Sequence, residues 1–128
     1  MKYLLDTHTF LWWALEDTLL SQTARELMED PENTIYFSTA SSWEISIKVR
    51  LGKLVLPVAP EIFIPDCIGV DHFTVLPIGL YHSLEVVSLP MMHNDPFDRM
   101  LIAQSRVENI PILTADARIK EYDINVVW

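Results

Sequence analysis

The chain has 128 residues, half of them apolar and about a fifth charged, a composition that fits one globular domain and excludes a disordered segment. Eighteen acidic residues against nine basic ones give a formal net charge of −9, which disfavours a passive binder that meets phosphate with Lys and Arg alone. The single cysteine, Cys67, excludes an internal disulfide and fits a reducing cytoplasm. The opening stretch, with Glu16 and Asp17 closing an apolar patch, reads as neither a secretory signal nor a membrane span.

Residues 2–5 read as a short buried strand ending at Asp6. Phe10, Leu11, Ala14 and Leu15 then fall at helical spacing over 7–15. Ser21 is a suitable N-cap for a second helix over 22–29, stopped near Pro31. The β-branched and aromatic run Thr34-Ile35-Tyr36-Phe37 predicts a second strand. Ser41 or Ser42 is the expected cap of a helix that runs to Val49 or Leu51 and ends at Gly52, with Trp43, Ile47 and Leu51 on one face. Residues 53–72 are the least legible, because Pro57, Pro60 and Pro65 break any long element. At most a short helix over 61–64 or 66–70 is expected there.

Phe73-Thr74-Val75-Leu76 predicts a third strand, and residues 80–87 a helix ended by Leu89-Pro90. Asp95 and Pro96 start the next helix, with Pro at its favoured first position. Ile112-Leu113-Thr114 is a buried strand, 117–121 a helical turn, and 125–128 a last strand. Strands alternating with helices through short connections predict an α/β domain of three layers, a parallel sheet with helices on both faces. No repeat, low-complexity tract or linker divides it.

Four acids fall near the ends of these segments: Asp6, Glu44, Asp98 and Asp116. Ligands of open parallel sheets bind beyond the C-terminal strand ends, so Asp6 and Asp116 are expected to meet, with Asp98 and Glu44 reaching the same crevice from helices. An all-oxygen donor set without a His or Cys cluster points to Mg²⁺ or Mn²⁺, the raw material for phosphodiester hydrolysis. Each acid also has an ordinary explanation. Asp6 can cap a helix, and Glu44 with Lys48 is an i, i+4 ion pair. Asp95 with Asp98 resembles a capping box, and Asp116 can cap the turn after it. Those explanations do not account together for strand-end acids converging in an apolar pocket, where repulsion raises their pKa values unless a cation binds.

The chain resembles the PIN-domain ribonucleases, in particular the VapC-type toxins of bacterial toxin–antitoxin pairs. The resemblance is carried by Leu4-Leu5-Asp6-Thr7-His8 with Leu11-Trp12-Trp13, by Ser41-Ser42-Trp43-Glu44-Ile45, by Leu89-Pro90 leading through His93 to the run Asp95-Pro96-Phe97-Asp98-Arg99-Met100-Leu101-Ile102-Ala103-Gln104, and by Leu113-Thr114-Ala115-Asp116. It implies a parallel sheet of four or five strands in one domain over residues 1–128 and a Mg²⁺ or Mn²⁺ site. It also implies endonucleolytic cleavage of RNA. Asp6, Glu44, Asp98 and Asp116 would be its catalytic and metal-binding acids, Asp6 and Asp98 the firmest direct ligands. Asp95 is either a further ligand or only a cap. Thr114 either bonds a metal-bound water, orients Asp116 or is an ordinary strand-end hydroxyl. A cognate antitoxin of VapB type (a small DNA-binding protein), an RNA substrate and a homodimer are the implied partners, in the cytoplasm and away from membranes. His8 stands where many relatives carry Asn or Ser.

Arg99, Arg118, Lys48, Arg50 and Lys53 sit near the acids, with solvated surface charge or ion pairing the expected role of each. Trp12 and Trp13 are read as core or partner-facing residues, and His72, His82 and His93 receive no ligand role. One alternative is a catalytically silent chain that only docks an antitoxin and modulates its DNA binding. Another is an aspartate phosphoacceptor, against which stands the absence of a Lys after a late strand.

Overall fold

The computed structural model describes all 128 residues. Strand β1 (Lys2–Leu5) leads into helix α1 (Thr7–Ala14), and α2 (Gln22–Glu29) precedes β2 (Thr34–Ser38). Helices α3 (Thr39–Arg50) and α4 (Pro60–Asp71) follow, then β3 (Thr74–Leu76). Helix α5 (Leu80–Glu85) runs on as a 3₁₀ turn over Val86–Ser88. The chain ends with α6 (Pro96–Glu108), β4 (Ile112–Leu113), α7 (Ala117–Lys120) and β5 (Val126–Val127). No helix is long and apolar enough to cross a membrane.

The five strands form one parallel sheet in the order β3-β2-β1-β4-β5. The chain builds outward from β1 to β2 and β3, then returns to lay β4 on the other side of β1. In open parallel sheets such a reversal marks the C-terminal ends of the strands beside it, here β1 and β4, as the place where ligands bind. Side chains alternate faces along each strand. Tyr3, Leu5 and Leu113 join a core on one face with Phe10, Phe37, Ile45 and Phe63. Leu4 and Ile112 join Leu101, Ile102 and Ile119 on the other. The three-layer parallel architecture expected from the strand–helix alternation is the observed one.

Two expectations are overturned by the packing. Helix α3 is capped three or four residues earlier than expected, by Ser38, whose Oγ accepts the Ala40 N–H at 3.0 Å. Its inner face is Ala40, Ser41, Glu44 and Ile45, while Trp43 and Leu51 are exposed. The proline-rich stretch holds a full twelve-residue helix, α4, with Pro60 at its start and Pro65 inside it. An interior proline costs about 3 kcal/mol. Burying Phe63 and Ile64 returns about 1.5–3 kcal/mol each, which offsets it.

Candidate active site

Asp6 stands at the N-cap position of α1, yet its side chain makes no capping bond. Its carboxylate instead accepts the Thr114 hydroxyl, Oγ1 to Oδ2, at 2.8 Å. The same Thr114 oxygen accepts the backbone N–H of Asp116 at 3.0 Å. One hydroxyl at the end of β4 therefore couples the acids that follow β1 and β4, and Thr114 is fully buried. The Asp116 side chain caps α7, its Oδ1 accepting the Arg118 N–H at 2.9 Å.

Asp95 is the N-cap of α6, its Oδ1 accepting the N–H groups of Phe97 at 2.9 Å and Asp98 at 3.1 Å. The reciprocal half of a capping box is missing: the Asp95 N–H donates to His93 Nδ1 at 3.2 Å. Asp98 is thereby released from local capping. Glu44 points inward from α3, and the ion pair with Lys48 expected from the i, i+4 spacing is present. Its second oxygen, Oε1, is buried with no hydrogen-bond partner.

Asp6 and Glu44 are each 3% exposed and Asp98 7%, a depth at which carboxylates are seldom found without a partner. Burial pushes the Asp98 carboxyl up to about 7, and the charges of Asp95, Asp6, Asp116 and Glu44 all add to the rise. Burial also raises Asp6, against the lowering effect of the Thr114 hydrogen bond. At Asp116 burial acts upward too, but hydrogen bonds from the Arg118 side chain and backbone prevail and hold it below the ordinary carboxylate range. Asp98 is thus the electrostatic centre of the group. No three His, Cys, Asp or Glu side chains lie close enough to hold an ion between them. A Mg²⁺ ion does not need such a cage, since it keeps several waters and takes one or two carboxylates. The unpartnered Glu44 oxygen and the mutual repulsion around Asp98 suit a hard divalent cation.

The basic residues divide sharply. Arg99 is neither solvated nor ion-paired, contrary to expectation. Its guanidinium is buried and donates to the carbonyls of Pro90 at 2.8 Å, Val86 and Leu89 at 3.4 Å, and to the Tyr122 hydroxyl at 3.2 Å. It ties the segment before α6 to that helix and is not available to a ligand. Arg118 grips Asp116 through Nε at 3.3 Å and Nη2 at 3.1 Å, and its Nη2 lies 3.6 Å from Asp98 Oδ2. Trp12 and Trp13 pack against the core, Trp12 edge-on to Trp128 and Trp13 near Phe73. His8 is exposed and sits beside Trp12.

Sequence reasoning passed over several supporting residues. His93 orients the Asp95 cap and packs edge-on to Tyr122 at 5.5 Å; its place two residues before an Asp-Pro helix start was the available signal. Thr7 Oγ1 and Ser41 Oγ share a buried hydrogen bond of 2.8 Å that joins the starts of α1 and α3. Ser38 bonds Gln104 across the sheet end, and Thr9 donates to the Leu113 carbonyl at 2.8 Å. The Thr7–Ser41, Ser38–Gln104 and Thr9–Leu113 pairs are not local, and no short motif announces them.

A family model described as the PIN domain matches residues 3–125. Over 42 residues the chain is 45% identical to the ribonuclease VapC16 of Mycobacterium tuberculosis, a match that spans 33% of this chain and 30% of that relative. Among solved structures, the VapBC2 complex of Rickettsia felis bound to a promoter DNA fragment superposes with a TM-score of 0.74 at 13% identity, covering 100% of this chain and 99% of that one. The DNA-bound VapBC of Salmonella typhimurium gives 0.70 at 16% identity, over 99% and 97%. VapBC-1 of nontypeable Haemophilus influenzae gives 0.65 at 18%, also over 99% and 97%. At these identities the likeness is one of fold.

Proposed function

This chain belongs to the PIN domain family, and from that premise we propose that it is a Mg²⁺- or Mn²⁺-dependent endoribonuclease, the toxin of a toxin–antitoxin pair. The observation that carries the reading is the set of buried acids gathered around Asp98 at the sheet's switch point, with an unpartnered Glu44 oxygen among them. Asp6, Glu44, Asp98 and Asp116 are the residues that would hold the cation. A bound divalent ion supplies an activated water and positive charge against the phosphate. Thr114 fixes the Asp6 carboxylate by donating to it, and fixes Asp116 through its backbone. Asp95 sets the start of α6 and so aims Asp98. Water adds to phosphorus while the bond to the 3′ oxygen breaks, so the products carry a 5′-phosphate and a 3′-hydroxyl.

A partner of antitoxin type, a small DNA-binding protein, is part of the proposal. It is supported by the structural likeness to toxin–antitoxin complexes crystallised with DNA. The chain is proposed to work as one domain in the cytoplasm and as a homodimer.

The test is RNA cleavage by purified protein in Mg²⁺, Mn²⁺ or EDTA, beside Asp6→Asn and Asp98→Asn. Chelation and either substitution are expected to lower the rate by roughly a hundredfold or more, the scale on which a charge-stabilising group acts. Cleavage that survives EDTA, or 2′,3′-cyclic phosphate ends, would overturn the chemistry. Antitoxin binding with no cleavage under any metal would favour the silent docking scaffold instead.

A further inference from the structure

We propose that Arg118 is a tethered counter-ion that a divalent cation displaces from Asp98 and Asp116, and that it then binds a phosphate of the RNA. The inference rests on the metal-dependent reading given above and assigns the substrate contact within that site. Of the two cations paired with the candidate acids, Lys48 is spaced i, i+4 from Glu44 on one helix, where such pairs form locally. Arg118 instead spans acids from two different elements, meeting Asp116 at 3.1 Å and Asp98 at 3.6 Å. Its side chain is 58% exposed, so it can swing into solvent without unpacking anything. Arg99, the other arginine beside Asp98, is buried and spends its donors on three carbonyls and a tyrosine hydroxyl.

Two facts point the arginine toward phosphate. The oxygens it meets belong to two of the four acids proposed to hold the ion, and a dication beside a guanidinium repels it. Once free, a planar fork already standing between Asp98 and Asp116 suits a phosphate better than a lone ammonium does. A chain with net charge −9 also has few cations to offer a polyanion, and Arg118 already stands at the acids. The side chain would thus exchange one anion for another within the same crevice, and metal and RNA would favour each other's binding.

The experiment uses the full chain with Arg118→Gln, Arg118→Lys, Asp98→Asn and, as a matched charge loss elsewhere, Arg25→Gln. Mn²⁺ uptake is followed by electron paramagnetic resonance. Binding of a short single-stranded RNA in Ca²⁺ is followed by fluorescence anisotropy over a range of salt. Arg118→Gln is expected to bind Mn²⁺ about three- to tenfold tighter and RNA roughly tenfold weaker, about the effect of one charge-assisted contact. Its salt slope is expected to be shallower by about 0.7, one phosphate of a single strand. Arg118→Lys is expected to recover part of the RNA affinity, and Arg25→Gln to change neither reading. Unchanged or weaker Mn²⁺ binding in Arg118→Gln, or unchanged RNA affinity and slope, overturns the proposal while leaving the metal reading intact if Asp98→Asn loses Mn²⁺. A wild-type chain that takes up no Mn²⁺ sinks both.

Discussion

Thr114 offers the sharpest single-residue test, because its hydroxyl donates to Asp6 and accepts from the backbone of Asp116 at once. Thr114→Val keeps the shape and removes both bonds. It is expected to lower stability by about 1–3 kcal/mol, the cost of unmade buried hydrogen bonds, and metal affinity by roughly 10–100-fold. Denaturant melts and Mn²⁺ titration read the two effects separately. A stability loss without an affinity loss would reduce Thr114 to a strand-end residue. Arg99 makes the opposite point. From its neighbours alone it reads as a surface charge beside Asp98, but it is buried among carbonyls. Arg99→Lys is therefore expected to destabilise the fold by about 2–4 kcal/mol, since an ammonium cannot reach the same four acceptors. Urea unfolding checks this, and a change below half a kcal/mol would contradict it. Which residues carry charge was legible; which way each side chain turned was not, because that depends on what the fold brings opposite.

Helix starts were the most legible elements, since a cap and its N–H groups are neighbours in sequence. Ser21 accepts the Ala24 N–H at 3.0 Å, and Asp95 with Pro96 opens α6 as their order predicts. The role of Asp95 can be separated at this scale. Asp95→Asn keeps the capping oxygen and is expected to hold stability and Mn²⁺ affinity close to wild type. Asp95→Ala is expected to lose about 1 kcal/mol. If Asn alone abolishes Mn²⁺ uptake, Asp95 is a ligand and not merely the cap that aims Asp98. Helix α4 was the least legible element. Its prolines speak against a helix locally, and only the sheet face that receives Phe63 and Ile64 reverses the balance. The Ser38 cap of α3 was missed for a related reason, because Ser41 and Ser42 fit the local rule as well. Ser41 is used instead, buried, to bond Thr7.

The whole molecule carries an electrostatic strain that pH should expose. The folded chain keeps a proton on Asp98 up to about pH 7, against 3.8 for an ordinary aspartate. The folded state thus binds that proton more readily than the unfolded one. Its contribution to stability is full below 3.8 and is lost as pH rises through about 7. Asp6, raised by burial, acts in the same sense. Asp116 is lowered, so its contribution is present above its ordinary value and fades only in acid. In EDTA the melting temperature is therefore expected to fall from about pH 5 to about pH 7 and to level off above that, and Asp98→Asn is expected to flatten that fall. Excess Mg²⁺ at pH 8 is expected to raise it again, as any ligand of the folded state does. A melting temperature that rises over this range in EDTA would contradict the assignment. The sequence by itself determined the layered α/β architecture, the starts of α2 and α6 and which acids stand near the segment ends, because periodicity, capping and strand-end placement are properties of neighbouring residues. Only the tertiary structure decided that Thr114 links Asp6 to Asp116, that Arg99 is buried while Arg118 bridges two acids, and that a proline-bearing helix closes one face. Those outcomes depend on contacts between residues far apart in the chain, and burial sets their energies.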